Sequence, residues 1–301
     1  MLNEAVGFVR PKKGGRYIDC TLGGGGYTSA LAKIAGQEGL VIAFDLDKKA
    51  IANLDEKKLE NVRSINDNFS NLSSRVVEMV GNEMLFDGIV MDLGLSSAQI
   101  DDPDRGFSFK FDNSLDMSFS GNSKETKNII NNYDEKSLSR IIADYGEEKF
   151  ARNIAKAIVN YRQEKPIDNA KELSEVVKSA IPTRFHKSGL NPATKTFQAL
   201  RIETNGELEA LKKVLPQAVS LLKPGGRLAV VSFHSLEDRI VKDFFRQESR
   251  DCLCPPRFPA CRCGHRATLN VISKKPIAVS EEESKGNPRA RSAKIRVAEK
   301  K

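Results

Sequence analysis

The chain has 301 residues, of which 40% are hydrophobic and 29% charged, the balance of a globular protein with one large domain or two modest ones. No apolar run approaches the roughly 20 residues that a bilayer span requires, and Met1 to Gly15 lack the apolar core and cleavage site of a signal peptide; the expectation is a cytoplasmic protein with no membrane attachment. Forty-eight Lys and Arg against 40 Asp and Glu leave a net charge of +8, which favours a polyanionic partner.

In chain order, Arg16 to Cys20 reads as a short strand running into the glycine-rich turn Thr21 to Tyr27, and Thr28 to Ala35 as a helix closed by Gly36. Gly39 to Asp45 is a buried strand, Asp47 to Leu54 a helix, Val62 to Ile65 a strand, Leu72 to Val80 a helix and Phe86 to Leu93 a fourth strand. Strands and helices alternating in this way predict an α/β domain with a mainly parallel sheet covered on both faces. The rhythm breaks between about Asp101 and Ser123, and Asn128 to Lys187 follows with apolar residues at helical spacing. Residues 106–192 are therefore expected to form an inserted all-helical subdomain, which splits the α/β domain into 1–105 and 193–301. The α/β pattern resumes with a helix over Glu207 to Leu222, a strand over Arg227 to Phe233, a helix over Leu236 to Arg246 and a strand over Thr268 to Ser273; Ala293 to Ala298 is a candidate last strand. Seven basic residues against one acid between Lys285 and Lys301, Arg289 and Arg291 among them, form an electrostatic footprint for phosphate backbones or else a solvated terminus.

The first chemistry-bearing element is Asp19-Cys20-Thr21-Leu22-Gly23-Gly24-Gly25-Gly26, between a strand and a helix. Glycines at such a turn let the backbone approach a ligand and adopt positive φ. Asp45 ends the next strand, where a carboxylate accepts hydrogen bonds from ribose hydroxyls. A dinucleotide fingerprint needs a further glycine where Thr28 stands, whereas Asp19 suits the cationic amino-acid end of S-adenosylmethionine. The dinucleotide and a purely structural turn remain as rivals. Asn66-Asp67-Asn68-Phe69 follows the third strand, where a class I methyltransferase (a Rossmann-like fold) places adenine contacts, and Lys223-Pro224-Gly225-Gly226 resembles a turn common in that fold.

Asp92 ends the fourth strand, at the ligand end of such a sheet. It could accept a hydrogen bond from an exocyclic amine undergoing methylation or instead position the cofactor; the Pro-Pro-aromatic partner common in amino-methyltransferases is absent. Phe107, Phe109 or Tyr27 could supply the missing aromatic clamp, or simply pack in the core. Cys252, Cys254, Cys261 and Cys263 offer four thiols suited to a structural zinc, with reduced free thiols as the alternative, and Arg250, Arg257, Arg262 and Arg266 surround them.

Six segments then resemble one family: TLGGGG at 21–26, MDLGLSSAQID at 91–101, RGFSF at 105–109, NPATKTFQALRI at 191–202, SFHSLEDR at 232–239 and NPRARS at 287–292. They are similar to the RsmH (MraW) family and span nearly the whole chain. The resemblance implies a bacterial methyltransferase acting on the N4 amine of a cytidine in the decoding region of 16S ribosomal RNA, with the small ribosomal subunit as partner. It implies cofactor contacts at Gly25, Gly26, Tyr27, Asp45, Phe69, Asp92 and Gln99; many members have histidine where Tyr27 stands. It also implies that the helical insert recognises the substrate. Lys195, Arg201 and Arg239 are candidates for RNA phosphate contacts or ordinary surface charge, and His234 for a base contact or a helix cap. The rival function is an RNA-binding assembly factor that keeps the fold without catalysis.

Overall fold

The computed structural model describes residues 1–108, 115–121, 123–186, 189, 191–255, 258 and 260–301, with Pro288 described by its backbone only. In chain order the elements are α1 (Leu2–Val9), β1 (Arg16–Asp19), α2 (Gly26–Ala35), β2 (Leu40–Asp45), α3 (Lys48–Asp55), β3 (Val62–Asn66), α4 (Leu72–Val80) and β4 (Phe86–Asp92). Then come α5 (Ser97–Asp101), α6 (Glu125–Asn132), α7 (Glu135–Gly146), α8 (Ala151–Arg162), α9 (Ala170–Ala180) and α10 (Thr194–Asn205). The last elements are α11 (Glu207–Leu221), β5 (Leu222–Ser232), α12 (Ser235–Glu248), β6 (Leu269–Val271), β7 (Ile277–Ala278), α13 (Glu281–Gly286) and β8 (Lys294–Lys300).

The chain divides into two compact units, a sheet unit of residues 1–94 and 208–301 and a helical unit of residues 95–207. The helical unit reaches further than the expected 106–192 at both ends. At its far end the reason is α10: Phe197, Ala199 and Leu200 are buried in the same apolar cluster as Ile141, Ile154 and Leu173, so α10 packs with the helices of this unit.

In the sheet unit the strand order is β3-β2-β1-β4-β5-β8-β6, with β7 also pairing to β8. β1 to β5 run parallel to one another, and β8 is antiparallel to β5, β6 and β7. This is the α/β arrangement with a mainly parallel sheet expected from the sequence. Alternation along each strand assigns its side chains to the two faces. Ile18, Ile42, Phe44, Ile89 and Met91 join one core with α4, α11 and α12, while Tyr17, Val41, Ala43 and Val90 join the other with α1 and α2. Two-sided burial is why these strands read as continuous apolar runs.

Helix α1 has no counterpart in the sequence expectation. Its Ala5, Val6 and Val9 are buried, and it packs against β4 and β5. Gly88 makes room for it: a Cβ there would stand 2.2 Å from Val9 Cγ1. β7 and α13 were likewise not anticipated. Part of the basic terminal segment is internal structure, since β8 lies within the sheet and Arg296 forks onto Asp238 at 2.6 and 3.1 Å. Among the described residues no helix is long and apolar enough to cross a membrane.

Candidate active site

The ends of β1 and β4 carry two acids, Asp19 buried and Asp92 half-buried. These strands are neighbours, and from them the chain winds outward in opposite directions, to β2 and β3 on one side and β5 on the other. A sheet of this kind opens its ligand crevice at such a reversal, beyond the carboxyl ends of the strands. Asp19 is fully buried; its carboxylate accepts hydrogen bonds from the Thr28 hydroxyl at 2.7 Å and from the Thr21 N–H at 3.1 Å. Burial pushes its carboxyl up to about 6, while these donors pull the other way and the charge of Asp45 adds to the rise. Thr21 also ties the two strand ends together, because its hydroxyl accepts the Asp92 N–H at 2.6 Å.

Burial pushes the Asp92 carboxyl further, to about 7, with the charges of Asp19, Glu237 and Glu283 adding to the rise and the chain's amino-terminal ammonium opposing it. Asp92 Oδ1 is buried with no hydrogen-bond partner among the described residues. A buried acceptor left without a donor is costly, and in a ligand crevice it marks a place where a ligand donor belongs.

The glycine turn has the backbone that its sequence calls for. Gly23 and Gly25 have φ of 49° and 75°, and Gly25 caps α2. The Gly23 N–H donates to Asp45 Oδ2 at 2.8 Å, and the Asp47 N–H to Oδ1 at 2.8 Å, so Asp45 holds the turn and the start of α3 together. Burial raises its carboxyl as well. Asn66 joins β3 to this corner by donating to the carbonyls of Asp45 and Leu46 at 2.9 and 3.1 Å. Gly26 opens α2, and Tyr27 beside it is buried in the core, its phenol pushed up by burial and by the charges of Asp92 and Asp19. Phe69 begins the turn before α4 and packs against the apolar core on the α4 side.

His234 follows β5 and stands before α12. Glu237, which the sequence reading assigned no role, caps this helix: its Oε2 accepts the N–H groups of Phe233 and His234 at 2.9 and 3.3 Å. The capping is therefore done by the glutamate, the N3 position of a capping box, and that spacing was visible in Ser-Phe-His-Ser-Leu-Glu. The His234 ring is left over. Its Nε2 lies 3.2 Å from Glu237 Oε1 without hydrogen-bond alignment, and neither ring nitrogen has a hydrogen-bond partner among the described residues.

The family-model description "MraW methylase family" matches residues 1–301. This chain belongs to the MraW methylase family. Relatives named ribosomal RNA small subunit methyltransferase H are 46% identical in Halothermothrix orenii, 45% in Caldicellulosiruptor saccharolyticus and 43% in Clostridioides difficile. Each alignment covers 100% of this chain and 97% of the relative.

Several of the candidate residues lie in the helical unit. Gln99 is 7% exposed and serves a second capping box: its side-chain oxygen accepts the Ser96 N–H at 3.0 Å, and its own N–H donates to Ser96 Oγ at 3.2 Å. Phe107 packs against the helical core, with its ring 6.2 Å from that of Phe119. Phe109 lies outside the described residues. Lys195 is exposed and donates to the Glu147 carbonyl at 2.8 Å. Arg201 requires a correction: it forks onto Glu207 at 2.8 and 2.9 Å with both side chains largely buried, so its guanidinium is committed to an ion pair within the unit and not to phosphate.

In the sheet unit Arg239, Arg289 and Arg291 are exposed. Cys252, Cys254, Cys261 and Cys263 are free thiols whose sulfurs all lie within 4.8 Å of one another.

Proposed function

We propose that this MraW-family chain transfers a methyl group from S-adenosylmethionine to the N4 amine of a cytidine in the decoding region of 16S ribosomal RNA, on the small ribosomal subunit and in the cytoplasm. The observation that carries the choice of cofactor is the pair of strand-end acids beside the glycine turn, Asp19 buried and Asp92 half-buried with its Oδ1 out of solvent. Asp19, Asp45 and Asp92, together with Glu237 and Glu283, make the crevice electronegative. That field favours a sulfonium and an ammonium and disfavours the pyrophosphate of a dinucleotide.

When bound, S-adenosylmethionine supplies an electrophilic methyl on its sulfonium. Gly23 and Gly25 would let backbone approach it, Asp45 would accept from the ribose hydroxyls, Asp19 would meet the cationic amino-acid end, and Tyr27 and Phe69 would wall the site. Asp92 accepts a hydrogen bond from the target amine through its unpartnered Oδ1. That contact lets the nitrogen lone pair turn from the ring toward the methyl and gives the departing proton an acceptor. The relatives' printed name, ribosomal RNA small subunit methyltransferase H, supports the substrate, and the exposed Arg239, Arg289, Arg291 and Lys195 are the candidate phosphate contacts. The helical unit is the candidate substrate-recognition element, and the four-cysteine loop a candidate structural zinc site.

The test is incubation with methyl-labelled S-adenosylmethionine and small subunits, followed by digestion to nucleosides. Label in N4-methylcytidine is expected. Label in another nucleoside overturns the acceptor, and unlabelled RNA overturns the enzyme in favour of an assembly factor.

A further inference from the structure

The described residues between α12 and β6 contribute little to an apolar core. Its ends are tied by Thr268, whose N–H donates to the Glu248 carbonyl at 2.8 Å and whose hydroxyl donates to Glu248 Oε2 at 2.8 Å, and by the Ala267 N–H on Asp251 at 3.2 Å. Between these ties none of the described residues 250–267 is buried. A loop of this size with no core needs a covalent or metal staple to hold one shape.

The four cysteines converge at its centre. Sγ–Sγ distances are 3.4 Å for Cys252–Cys261, 3.6 Å for Cys261–Cys263 and 3.8 Å for Cys263–Cys252. Four sulfurs at about 2.3 Å from a tetrahedral zinc stand about 3.8 Å apart, so the spacing suits that ion. Backbone N–H groups also point at the sulfurs: Leu253 to Cys263 at 3.3 Å, Cys254 to Cys252 at 3.4 Å and Arg262 to Cys254 at 3.3 Å. Such donors stabilise thiolates, the form that binds metal, and an all-thiolate set selects a soft ion over magnesium or calcium.

Around this centre Phe258 is 47% exposed and Leu253 39%. Arg250, Arg262 and Arg266 are exposed too. An aromatic ring open to solvent among arginines matches what unpaired RNA offers, a base face to stack on and phosphates to pair with. We infer that the four cysteines fold a zinc knuckle that grips single-stranded RNA, with Cys252, Cys254, Cys261 and Cys263 holding one Zn²⁺, Phe258 stacking on a base and Arg250, Arg262 and Arg266 meeting phosphates. The RNA half of this inference rests on the ribosomal-RNA reading above; the metal half does not.

Metal analysis of full-length protein purified without chelator should find close to one zinc per chain, and Cys261→Ser/Cys263→Ser close to none. A chain without zinc that also fails to take up Co²⁺ with a thiolate charge-transfer band overturns the metal site. For the RNA half, Phe258→Ala and Arg262→Ala should keep the zinc and the S-adenosylmethionine affinity of the parent while binding a decoding-region transcript about tenfold more weakly. Full zinc with parental RNA affinity in both variants overturns the RNA grip. A parent that binds no ribosomal RNA at all overturns the substrate reading instead and leaves the zinc result standing.

Discussion

Replacing Asp92 with Asn should make the folded protein more stable at neutral and alkaline pH while removing its activity. In the ligand-free fold, burial holds the Asp92 carboxyl at about 7 against 3.8 when unperturbed. A raised carboxyl means that the folded state binds the proton more tightly than the unfolded chain, so stability falls as pH rises through the window from about 4 to about 7. At about 1.4 kcal/mol per pH unit of mismatch, the charged carboxylate costs about 2–3 kcal/mol more at pH 8 than at pH 5. Asparagine has the same shape and no charge to desolvate. Its advantage over the parent should therefore be about 1.5 kcal/mol at pH 5, where the unfolded carboxyl is already ionised, and grow by about a further 2–3 kcal/mol at pH 8. The chain has no tryptophan, so urea denaturation is best followed by circular dichroism, at both pH values and for both proteins. Equal stability at pH 8, or an advantage of the same size at pH 5, would refute the buried charge. Methyl transfer by the variant near the parent's rate would refute the acceptor role.

Asp45→Ala should weaken S-adenosylmethionine binding by about 1–3 kcal/mol in calorimetry, the scale of hydrogen bonds to a charged group, and unchanged affinity would remove the ribose from this position. Because Asp19 and Asp92 sit near 6 and 7, a cationic cofactor should bind with release of protons and gain affinity between pH 5.5 and 8. Binding heats that do not depend on the buffer's ionisation enthalpy at pH 6.5 would contradict that. Gly88→Ala should cost about 1–3 kcal/mol by driving a methyl into Val9, and adding Val9→Ala should recover part of the loss in urea denaturation. Independent, additive losses would mean that α1 is not seated on Gly88.

What could be read from the sequence followed from burial on two sides and from backbone constraint. β2 and β4 are continuous apolar runs because both faces are covered, and the turn at Gly23 to Gly25 was readable because few residues other than glycine accept positive φ there. Asp19, Asp45 and Asp92 were found by their position at strand ends, a property of order along the chain. Helix α1 was missed because it is short and holds Gly7, and its stability comes from docking on β4 and β5, which no local pattern encodes. The boundary at 192 fell too early because α10 is partly polar, and its choice of core is a tertiary fact. Arg201 looked like surface charge for the same reason: Glu207 lies six residues on, beyond the spacing at which helical partners are recognised.

β4 and β5, the parallel neighbours whose ends hold Asp92 and His234, are separated in sequence by the whole helical unit. Closing an unfolded tether of roughly a hundred residues costs about 2 kcal/mol more than closing a crossover of about ten. The helical unit has its own core, in which α7 packs on α8 and α8 on α9 while α10 closes back on α7 and α6. A chain in which that unit condenses first brings β4 and β5 together across a structured link and avoids the entropic cost. The timing of the helical unit then governs when the buried carboxylates leave water, and a mutation confined to its core should slow the assembly of a sheet it does not belong to.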